Sequence, residues 1–404
     1  MHTMEIAVKP VESSDELRMA IELMAKTHTE GDELAMRWLE SCAAQYPGYR
    51  REHTRIAIRR HEVLGALRLT TDTIRVGEAR LKMGGLGWVA TAAHYQRRGV
   101  CRQLIEDTMR YMRENGYHVS MLFGIVDFYH RFGYVTTLAD YTVRMDTMEA
   151  LSFDNPFREH PAKPGDVAAI QKIHNANDGT SVCSLIRSAG HIRNKWSRWS
   201  EWRVLKDERG KLVAYYLARP DGDSLQVCEV GADYPGVSAA IVSAAGHVAE
   251  HEGLAQVRFH VPPSNAFGRF LSQFRSVHEM RVDRDSGGMM AFVNIAETLE
   301  SMVPEWESLI GHSAVRDLRT ECTLLVNGSS YRIRSNHGAV DIAPGIGASK
   351  VSLSQGDLMH LVTGYRYAED LLDERRSLIS AEARALFTTI FPKRAPYVWM
   401  FDRF

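Results

Sequence analysis

The sequence predicts a protein of mixed α/β and α+β architecture, in which two α/β units of the same pattern precede an α+β unit. The first observation behind this prediction is the order of strand, helix and strand in LGWVATA, the helix beginning at Val100, and HVSMLFGI. The second is that the glycines bracketing this helix recur later in the chain at the same spacing. The third is a run of short strand patterns, separated by Asn-Gly and His-Gly turns, after about residue 300. A chain of 404 residues is long enough for two or three domains.

The first unit opens with a strand pattern, EIAVKPV, followed by a helix pattern that Ser14 can cap. Leu17, Ile21 and Met24 give this helix an apolar face. The next stretch, TRIAIRRHEVLGALRLTTDTIRV, alternates like two strands joined by a turn near Gly65. The central helix then repeats an inward-facing residue at every fourth position: Val100, Leu104, Thr108 and Met112.

The second unit is predicted from an internal repeat, because Gly236 and Gly253 reproduce the spacing of Gly99 and Gly116. Each pair is followed by a strand pattern and then by a turn with aromatic residues and an arginine. The second copy lacks the arginine pair and the tyrosine of the first, which predicts one working site and one scaffold. We place the predicted domains at residues 1–146, 147–292 and 293–404.

The third unit contains a predicted helix in SLSQGDLMHLVTG, with Ser354 as its cap and Asp357 three residues later. The chain ends in APYVWMFDRF, where the aromatic and aliphatic residues from Tyr397 to Phe401 have surface to bury. We therefore expect this tail to dock on the rest of the molecule, and packing alone is a sufficient reason for docking.

The composition favours a soluble globular protein, with 45% hydrophobic and 25% charged residues. The 49 basic and 50 acidic residues leave a formal net charge of -1, whereas a nucleic-acid-binding protein usually has a basic excess. The sequence contains no apolar stretch that approaches a membrane span of about 18 residues and no signal-peptide pattern. We therefore expect a cytoplasmic protein without a nucleic-acid or membrane partner. Five scattered cysteines without a CxxC pair predict reduced thiols: Cys42, Cys101, Cys183, Cys228 and Cys322.

The segment Arg97-Arg98-Gly99 places two positive charges and a flexible residue at the start of the central helix. Amide N–H groups at a helix start are unpaired, and the helix dipole is positive there. Gly99 allows the main chain to approach a ligand closely, so a pyrophosphate fits this position. For an isolated QRRG, a solvated basic helix start is the better interpretation. The flanking strand patterns and the FYHRFGY turn favour a binding site instead.

The segment WVATAAHYQRRGVCRQLI resembles the acetyl-coenzyme A signature of the GNAT acetyltransferases, in which a Q/R-x-x-G-x-G/A stretch binds the pyrophosphate. Here the stretch runs from Gln96 to Cys101, and Cys101 replaces the last small residue. Over nearly its full length the chain is similar to the enhanced-intracellular-survival (Eis) family of N-acetyltransferases, with QRRGV, FYHRFGY and DRF as its most specific motifs. The resemblance implies two tandem GNAT-like domains, the second degenerate, and a C-terminal sterol-carrier-protein-like domain whose tail returns to the active site. It also implies a homo-oligomer such as a hexamer.

The resemblance further implies acetyl-CoA as co-substrate and no metal. Main-chain groups of one strand would bind the pantetheine arm, the arginine–glycine turn would hold the phosphates, and the end of the next strand would line the thioester. The residues implied, in that order, are Val89, Ala90 and Thr91, then Arg97, Arg98, Gly99, Val100, Cys101 and Arg102, then Gly124 and Ile125.

Two catalytic groups are implied by the same resemblance. Tyr129 occupies the position of the general acid, and a phenol with a pKa of about 10 can donate to a departing thiolate. The general base is the terminal carboxylate, which maps onto Phe404. A free α-carboxylate has a pKa of about 3.5 and is a weak base for an ammonium group, so this role requires desolvation or a relaying water. The polar FYH step after a buried strand favours a cleft position for Tyr129 over a core position.

Two further patterns have simpler explanations. His247, Glu250 and His251 fit the HxxEH pattern of zinc peptidases, but the repeat aligns both histidines with charged residues of the first unit, which predicts a solvated face. Cys101 lies at a helix start that could lower its pKa, but the sequence offers no partner histidine, so a buried small residue is the preferred interpretation.

Three tryptophans, Trp196, Trp199 and Trp202, alternate with basic residues. Such a pattern can stack on single-stranded nucleic acid. Because the net charge is near zero, we favour a pocket wall or a subunit contact.

We therefore expect an acetyl-CoA-dependent N-acetyltransferase that acts on the primary amine of a small cationic acceptor by direct attack, without a covalent enzyme intermediate. Aminoglycosides and lysine-like amines are the acceptors that the resemblance implies. The alternative is a non-catalytic protein that binds a lipid or another small molecule through its C-terminal domain. The intact QRRGV argues against this alternative, because the second copy of the repeat shows what loss of the site looks like.

Overall fold

The computed structural model describes residues 6–179, 181–196 and 201–404, and the strands of these residues form three sheets. The strands are β1 Ala7–Pro10, β2 Thr54–Arg59, β3 Glu62–Val76, β4 Ala79–Thr91, β5 Val119–Gly124, β6 Val135–Leu138, β7 Asp140–Asp146, β8 Arg158–Pro161, β9 Val182–Leu185, β10 Trp202–Lys206, β11 Leu212–Asp221, β12 Ser224–Ala232, β13 Gln256–Phe259, β14 Val277–Arg281, β15 Gly287–Phe292, β16 Arg319–Val326, β17 Ser329–Asn336, β18 Ala339–Pro344 and β19 Lys350–Leu353. The helices are α1 Ser14–Thr29, α2 Glu33–Gln45, α3 Val100–Glu114, α4 Thr147–Ala150, α5 Val167–Asn177, α6 Ala189–Lys195, α7 Ser238–His251, α8 Ala266–Leu271, α9 Ile295–Ser301, α10 Val303–Gly311, α11 Gln355–Val362, α12 Ala368–Glu374 and α13 Ala381–Ile390. Among the described residues, no helix has both the length and the apolar character needed to cross a bilayer.

The first sheet has the strand order β1-β2-β3-β4-β5-β15-β6, with β9 also paired to β3. Its two faces are covered by different helices, as the alternation along β2 shows. Ala57 packs in the cluster that contains α3, whereas Ile56 and Ile58 pack in the cluster that contains α1 and α2. The predicted alternation of these strands therefore sends neighbouring side chains to opposite layers.

Two local predictions in this unit were wrong. Ser13, not Ser14, caps α1, since its side-chain oxygen accepts a hydrogen bond from the Glu16 amide at 3.1 Å. Gly65 lies inside β3 and not in the turn between β2 and β3. A Cβ at Gly65 would lie 2.7 Å from a methyl carbon of Val100, so this glycine is required for the close approach of α3 to the sheet.

The second sheet has the order β14-β7-β13-β12-β11-β10-β8 and contains the predicted repeat. In the first sheet β4 and β5 are parallel and joined through α3, and in the second sheet β12 and β13 are parallel and joined through α7. The glycine spacing seen in the sequence thus marks the same strand–helix–strand crossover in both sheets.

The two sheets exchange strands, which the sequence did not predict. β7 lies within residues 1–146 but pairs with β13 and β14 in the second sheet. β15 lies within residues 147–292 but pairs with β5 and β6 in the first sheet. The sheets therefore do not follow the predicted order of the chain, and the domain boundaries at 146 and 292 remain predictions.

The third sheet, β18-β17-β16-β19, packs with the helices from α10 to α13 and shares its core with the far end of the first sheet. In that shared core, Val76 and Leu81 of the hairpin between β3 and β4 lie in one cluster with Trp306 and Phe391. Residues beyond α13 leave this unit and run back toward the first two sheets, where the Tyr397 amide donates to the Val182 carbonyl at 2.9 Å.

Candidate active site

The candidate site begins where β4 and β5 separate. The two strands pair only over Met83–Gly85, and the register of β4 against β3 shifts between Gly87 and Ala90. At this irregularity Trp88 has a φ of 55°, so its backbone is in the left-handed region. Beyond Gly85, β4 therefore presents a main-chain edge that is not covered by β5, and two cavities open along this edge.

The first cavity has a volume of about 650 Å³ and lies at the N-terminus of α3. Gly99 precedes the helix with a φ of 82°, and no protein atom lies within 4 Å of the position that its Cβ would take. The amide groups of the first helical turn point outward at this end. Arg97, Arg102 and Arg131 also line the cavity, so both the helix dipole and the side chains favour an anion here.

Most of the predicted cofactor residues line this cavity: Val89, Thr91, Arg97, Gly99, Val100, Cys101, Arg102 and Ile125. Three others lie elsewhere. Ala90 is buried in the core beneath α1, the guanidinium of Arg98 lies 5.7 Å from the centre of the Tyr95 ring, and Gly124 lies against Tyr129. A side chain at Gly124 would clash with that ring, because a Cβ there would come within 2.5 Å of it.

Two residues of the first cavity were not predicted although they adjoin the quoted motifs. Arg131 belongs to the FYHRFGY turn and adds a third guanidinium to the cavity lining. Tyr95 precedes QRRG, lines the cavity and contacts both Arg59 and Arg98. The aromatic residue directly before QRRG was the available signal for Tyr95, and the arginine within FYHRFGY was the signal for Arg131.

The thiol of Cys101 is not activated by its position at the helix start. Burial raises the pKa of Cys101 to about 11, so the group stays protonated near neutral pH. Cys101 is nevertheless only partly buried and lines the first cavity, so its interpretation as a buried small residue holds only in part.

The second cavity has a volume of about 630 Å³ and contains the end of the chain. A Cβ on Gly87 would lie 3.0 Å from the main-chain carbonyl carbon of Phe404, and a Cβ on Gly85 would meet the Phe404 ring. That ring packs edge-to-face on Phe123, with 6.0 Å between the centroids. Glycines in β4 therefore make room for the terminal residue beside the exposed edge of the strand.

Tyr129 lines both cavities and stands where they meet. It begins the short 3₁₀ turn Tyr129–Phe132, and its ring packs edge-to-face against Phe128 and Tyr134. Burial raises the pKa of the Tyr129 phenol well above its usual value, so the hydroxyl remains protonated at physiological pH.

The tail before Phe404 is held by a buried ionic cluster. Asp402 accepts hydrogen bonds from Arg187 at 2.7 and 2.8 Å, and the same guanidinium donates to Glu229 at 2.6 and 2.7 Å. All three side chains are fully buried. Burial alone would raise the pKa of Asp402, but the charge of Arg187 and a hydrogen bond from His191 hold that pKa well below its usual range.

Further contacts tie the tail to both α/β units. Lys195 donates to the Phe401 carbonyl oxygen at 2.8 Å, and the Trp399 indole donates to Asp178 at 2.7 Å. His191 lies 3.1 Å from Asp402 and 3.0 Å from the Tyr46 hydroxyl, which connects the tail to α2. The docked tail that the sequence predicted is thus fixed by polar contacts as well as by packing.

The HxxEH pattern on α7 is not part of either cavity lining. His247 and His251 are exposed on α7, with 61% and 86% of their side chains accessible, as predicted for a solvated face. Within the described residues, no group of three or more metal-binding side chains is placed to hold an ion. Trp202 is buried in a core cluster and stacks on Trp196 with 5.8 Å between the ring centroids, so it forms no wall of the two cavities; a subunit contact remains a prediction, and Trp199 lies outside the described residues.

The comparison with protein families identifies the domain that carries this site. The model of the acetyltransferase (GNAT) domain matches residues 8–137. The chain carries a GNAT acetyltransferase domain and is an acyltransferase. This GNAT domain includes β4, α3, β5 and Tyr129, and its co-substrate is an acyl-CoA. A comparison with curated proteins finds no match by sequence.

Solved structures are similar to this acyltransferase over its whole length. A GCN5-related N-acetyltransferase from Kribbella flavida has a TM-score of 0.77 at 16% identity, covering 100% of both chains. One from Anabaena variabilis has a TM-score of 0.75 at 14% identity, covering 99% of this chain and 100% of the other. Eis1 from Mycobacterium abscessus has a TM-score of 0.68 at 14% identity, covering 98% of this chain and 100% of the other. At these identities the likeness shows the fold, which is a mixed α/β GNAT fold with several sheets.

Proposed function

We propose that the protein transfers the acetyl group of acetyl-CoA to a primary amine. The observation that carries this proposal is the position of Tyr129, which lines both the cavity at the start of α3 and the cavity that contains Phe404. The first cavity would hold acetyl-CoA, with its phosphates at Gly99 and the arginines and its pantetheine arm along the edge of β4. The second cavity would hold the amine. The thioester would then lie between a phenol and a carboxylate.

In the reaction that we propose, the neutral amine attacks the thioester carbonyl carbon directly. The new C–N bond forms, and the C–S bond breaks as the tetrahedral intermediate collapses. Main-chain N–H groups on the edge of β4 that β5 leaves uncovered would stabilise the oxyanion. The Phe404 carboxylate would accept the amine proton, directly or through a water molecule.

The raised pKa of Tyr129 refines its proposed role. A thiol has a pKa of about 8.5, so complete transfer of a proton from the buried phenol to the departing thiolate is unfavourable. A hydrogen bond from the phenol to the developing thiolate remains favourable, because the phenol stays protonated. We therefore propose that Tyr129 stabilises the leaving sulfur by donating a hydrogen bond, and that solvent supplies the proton after the bond has broken.

Substitution of the phenol tests this role. Tyr129→Phe should lower kcat by at least about tenfold and leave the Kd for acetyl-CoA within about twofold, because only the hydroxyl is removed. Tyr331→Phe, a partly buried tyrosine of β17, serves as the matched control and should be unchanged. A Tyr129→Phe enzyme with the kcat of the control would dismiss Tyr129 as the group that assists the leaving thiolate.

An extended C-terminus tests the proposed base. Gly-Ser added after Phe404 should abolish turnover while acetyl-CoA binding persists, because the carboxylate moves away from β4 and a neutral amide takes its place. The same dipeptide added at the N-terminus is the control. Full activity of the C-terminally extended protein would remove Phe404 from the mechanism.

We also propose that residues 147–292 are a degenerate GNAT-like domain and residues 293–404 a sterol-carrier-protein-like domain, as in an Eis-like enzyme. The repeated crossover around α7 and the likeness to Eis1 over 98% of the chain support this proposal. The alternative of a lipid-binding protein is not favoured by the cavity on the third sheet, because charged and polar side chains, including Arg319, Glu321 and Asp341, line it.

A further inference from the structure

The second cavity combines an apolar wall with few charges. Its apolar side chains are Leu86, Trp88, Val89, Phe123, Ile125, Met400 and Phe404. Thr27, His28 and Thr29 at the end of α1 add polar groups, and Arg403 adds a guanidinium. Within the described residues, no aspartate or glutamate side chain lines this cavity. Apart from the carboxylate of Phe404, the lining residues that the structure describes therefore supply no anion.

Two carboxylates around the cavity have partners within the fold. Asp140 forms an ion pair with Arg403. Asp32 lines a neighbouring depression that shares Trp88 with the cavity, and its side chain accepts a hydrogen bond from the Ala35 amide at 3.1 Å as the N-cap of α2. The charge of Asp140 is therefore matched by Arg403, whereas Asp32 faces the neighbouring depression and not this cavity.

The aromatic ring beside the end of the chain is also occupied. The guanidinium of Arg403 lies over Phe123, 4.8 Å from the centre of the ring, and Phe404 packs on the same ring. A cation of the acceptor would therefore meet a positive charge at this wall and not an open aromatic face.

We infer that the acceptor is a monoamine, in which one primary ammonium group is attached to an aromatic or aliphatic body. This inference rests on the proposed function and specifies its acceptor. The single ammonium pairs with the Phe404 carboxylate on binding and releases one proton to solvent to give the neutral amine that attacks, and the body packs against Trp88, Leu86 and the other apolar side chains. A polycation such as an aminoglycoside brings several desolvated charges to a lining that has no side-chain carboxylate to match them.

A panel of amines tests this acceptor class with the full-length protein, acetyl-CoA and a thiol-release assay. 2-Phenylethylamine and tryptamine should have kcat/KM values at least about tenfold above those of ethylamine, which lacks the body, and of spermidine and kanamycin, which carry extra charges. A kcat/KM for spermidine or kanamycin equal to that of 2-phenylethylamine would overturn the monoamine inference and leave the acetyltransferase proposal standing. Absence of amine-dependent thiol release across the whole panel would overturn both.

A charge placed in the cavity provides the matched test. Met400→Glu adds an acidic side chain to the lining, and Met400→Gln adds a side chain of the same size without the charge. The ratio of kcat/KM for spermidine to kcat/KM for 2-phenylethylamine should be at least about tenfold higher in Met400→Glu than in Met400→Gln. Equal ratios in the two variants would mean that missing carboxylates do not set the acceptor class, and would overturn the inference.

Discussion

Substitution of Arg187 is the sharpest test of how the tail is held. The guanidinium lies between Asp402 of the tail and Glu229 of β12, and it is fully buried together with both carboxylates. Arg187→Met keeps an unbranched side chain in the space but leaves the two carboxylates without their shared cation. The damage should therefore appear both in the stability of the fold and in the position of Phe404, two residues beyond Asp402.

The expected magnitude follows from the burial of the cluster. Removing one member of a buried ion pair costs about 3–5 kcal/mol, because the partner is left charged and desolvated. For units of 150–250 residues each kcal/mol lowers the unfolding temperature by about 2–4 °C, so we expect a decrease of at least about 6 °C. An exposed ion pair is worth at most about 1 kcal/mol, so Arg18→Gln, which disrupts the surface pair with Glu22, should change little.

The pH dependence has a definite sign. The folded-state pKa values of Asp402 and Glu229 are below their usual range. Burial alone would raise both values, but the charge of Arg187 lowers them by more. The stability that these ion pairs contribute is therefore fully present above about pH 4 and is lost as the pH falls through the folded-state values. In Arg187→Met the buried carboxylates lose this charge and burial raises their pKa values instead, so the stability difference between wild type and variant should be largest at alkaline pH and narrow as the pH falls.

Calorimetric unfolding and steady-state turnover together measure both effects. Arg187→Met should lose at least about tenfold in kcat at a temperature where it is fully folded, whereas acetyl-CoA binding should be retained because α3 is not part of the cluster. Arg187→Lys should recover part of the stability, since an ammonium supplies the charge but not the paired geometry of a guanidinium. An Arg187→Met protein with the unfolding temperature and kcat of Arg18→Gln would refute the assignment of the cluster as the clamp of the tail.

The remaining predictions concern the two cavities. Gly87→Ala should lower kcat by about tenfold or more, because the new Cβ would lie 3.0 Å from the carbonyl carbon of Phe404. Gly311→Ala is the control and should not change kcat, because a Cβ at that position has no neighbouring atom within 4 Å. Equal kcat values for the two variants would contradict this prediction. Burial raises the pKa of Cys101 to about 11, so this thiol should react with iodoacetamide at pH 7.5 at least about a hundredfold more slowly than glutathione does. Peptide mass spectrometry measures the rate of alkylation. A rate comparable to that of glutathione would show an accessible thiolate. Arg131→Ala should raise the Kd for acetyl-CoA, measured by calorimetry, by at least about threefold at low salt and by less at high salt. Arg113→Ala, near the other end of α3, is the control and should leave the Kd unchanged. Identical Kd values for the two variants would exclude Arg131 from the phosphate site.

The parts of the site formed by one continuous segment were predictable from the sequence. The helix from Val100 to Glu114, the glycine before it and the strands on either side depend on local periodicity and on a local backbone requirement, so QRRG located the first cavity. The Tyr129 turn was predictable for the same reason. The directions of the side chains were less predictable. Arg97 and Arg98 look equivalent in the sequence, but of these two only Arg97 lines the cavity.

The parts formed by distant segments were not predictable from patterns. The apolar alternation of β15 shows that it is a strand, but nothing in that alternation specifies insertion between β5 and β6. Arg187, Glu229 and Asp402 have side chains that are usually exposed, and burial became favourable only because the three meet in the fold. The end of α1 in the second cavity carries no motif at all, so Thr27 to Thr29 were missed.

If the second unit is the degenerate domain that we propose, the buried cluster gives that unit a role in the enzyme. A buried ionic cluster is weak evidence for stability, because well-packed apolar residues of similar volume often stabilise a fold as much or more. What the cluster provides is a single geometry, since Asp402 must meet both Arg187 and His191 for its charge to be tolerated. Arg187 and Glu229 belong to the second unit, and Arg187 holds Asp402 two residues before Phe404, which lies beside β4 of the first unit. The degenerate copy of the repeat would then act through the tail, by fixing the position of a base for a reaction that takes place on the other copy.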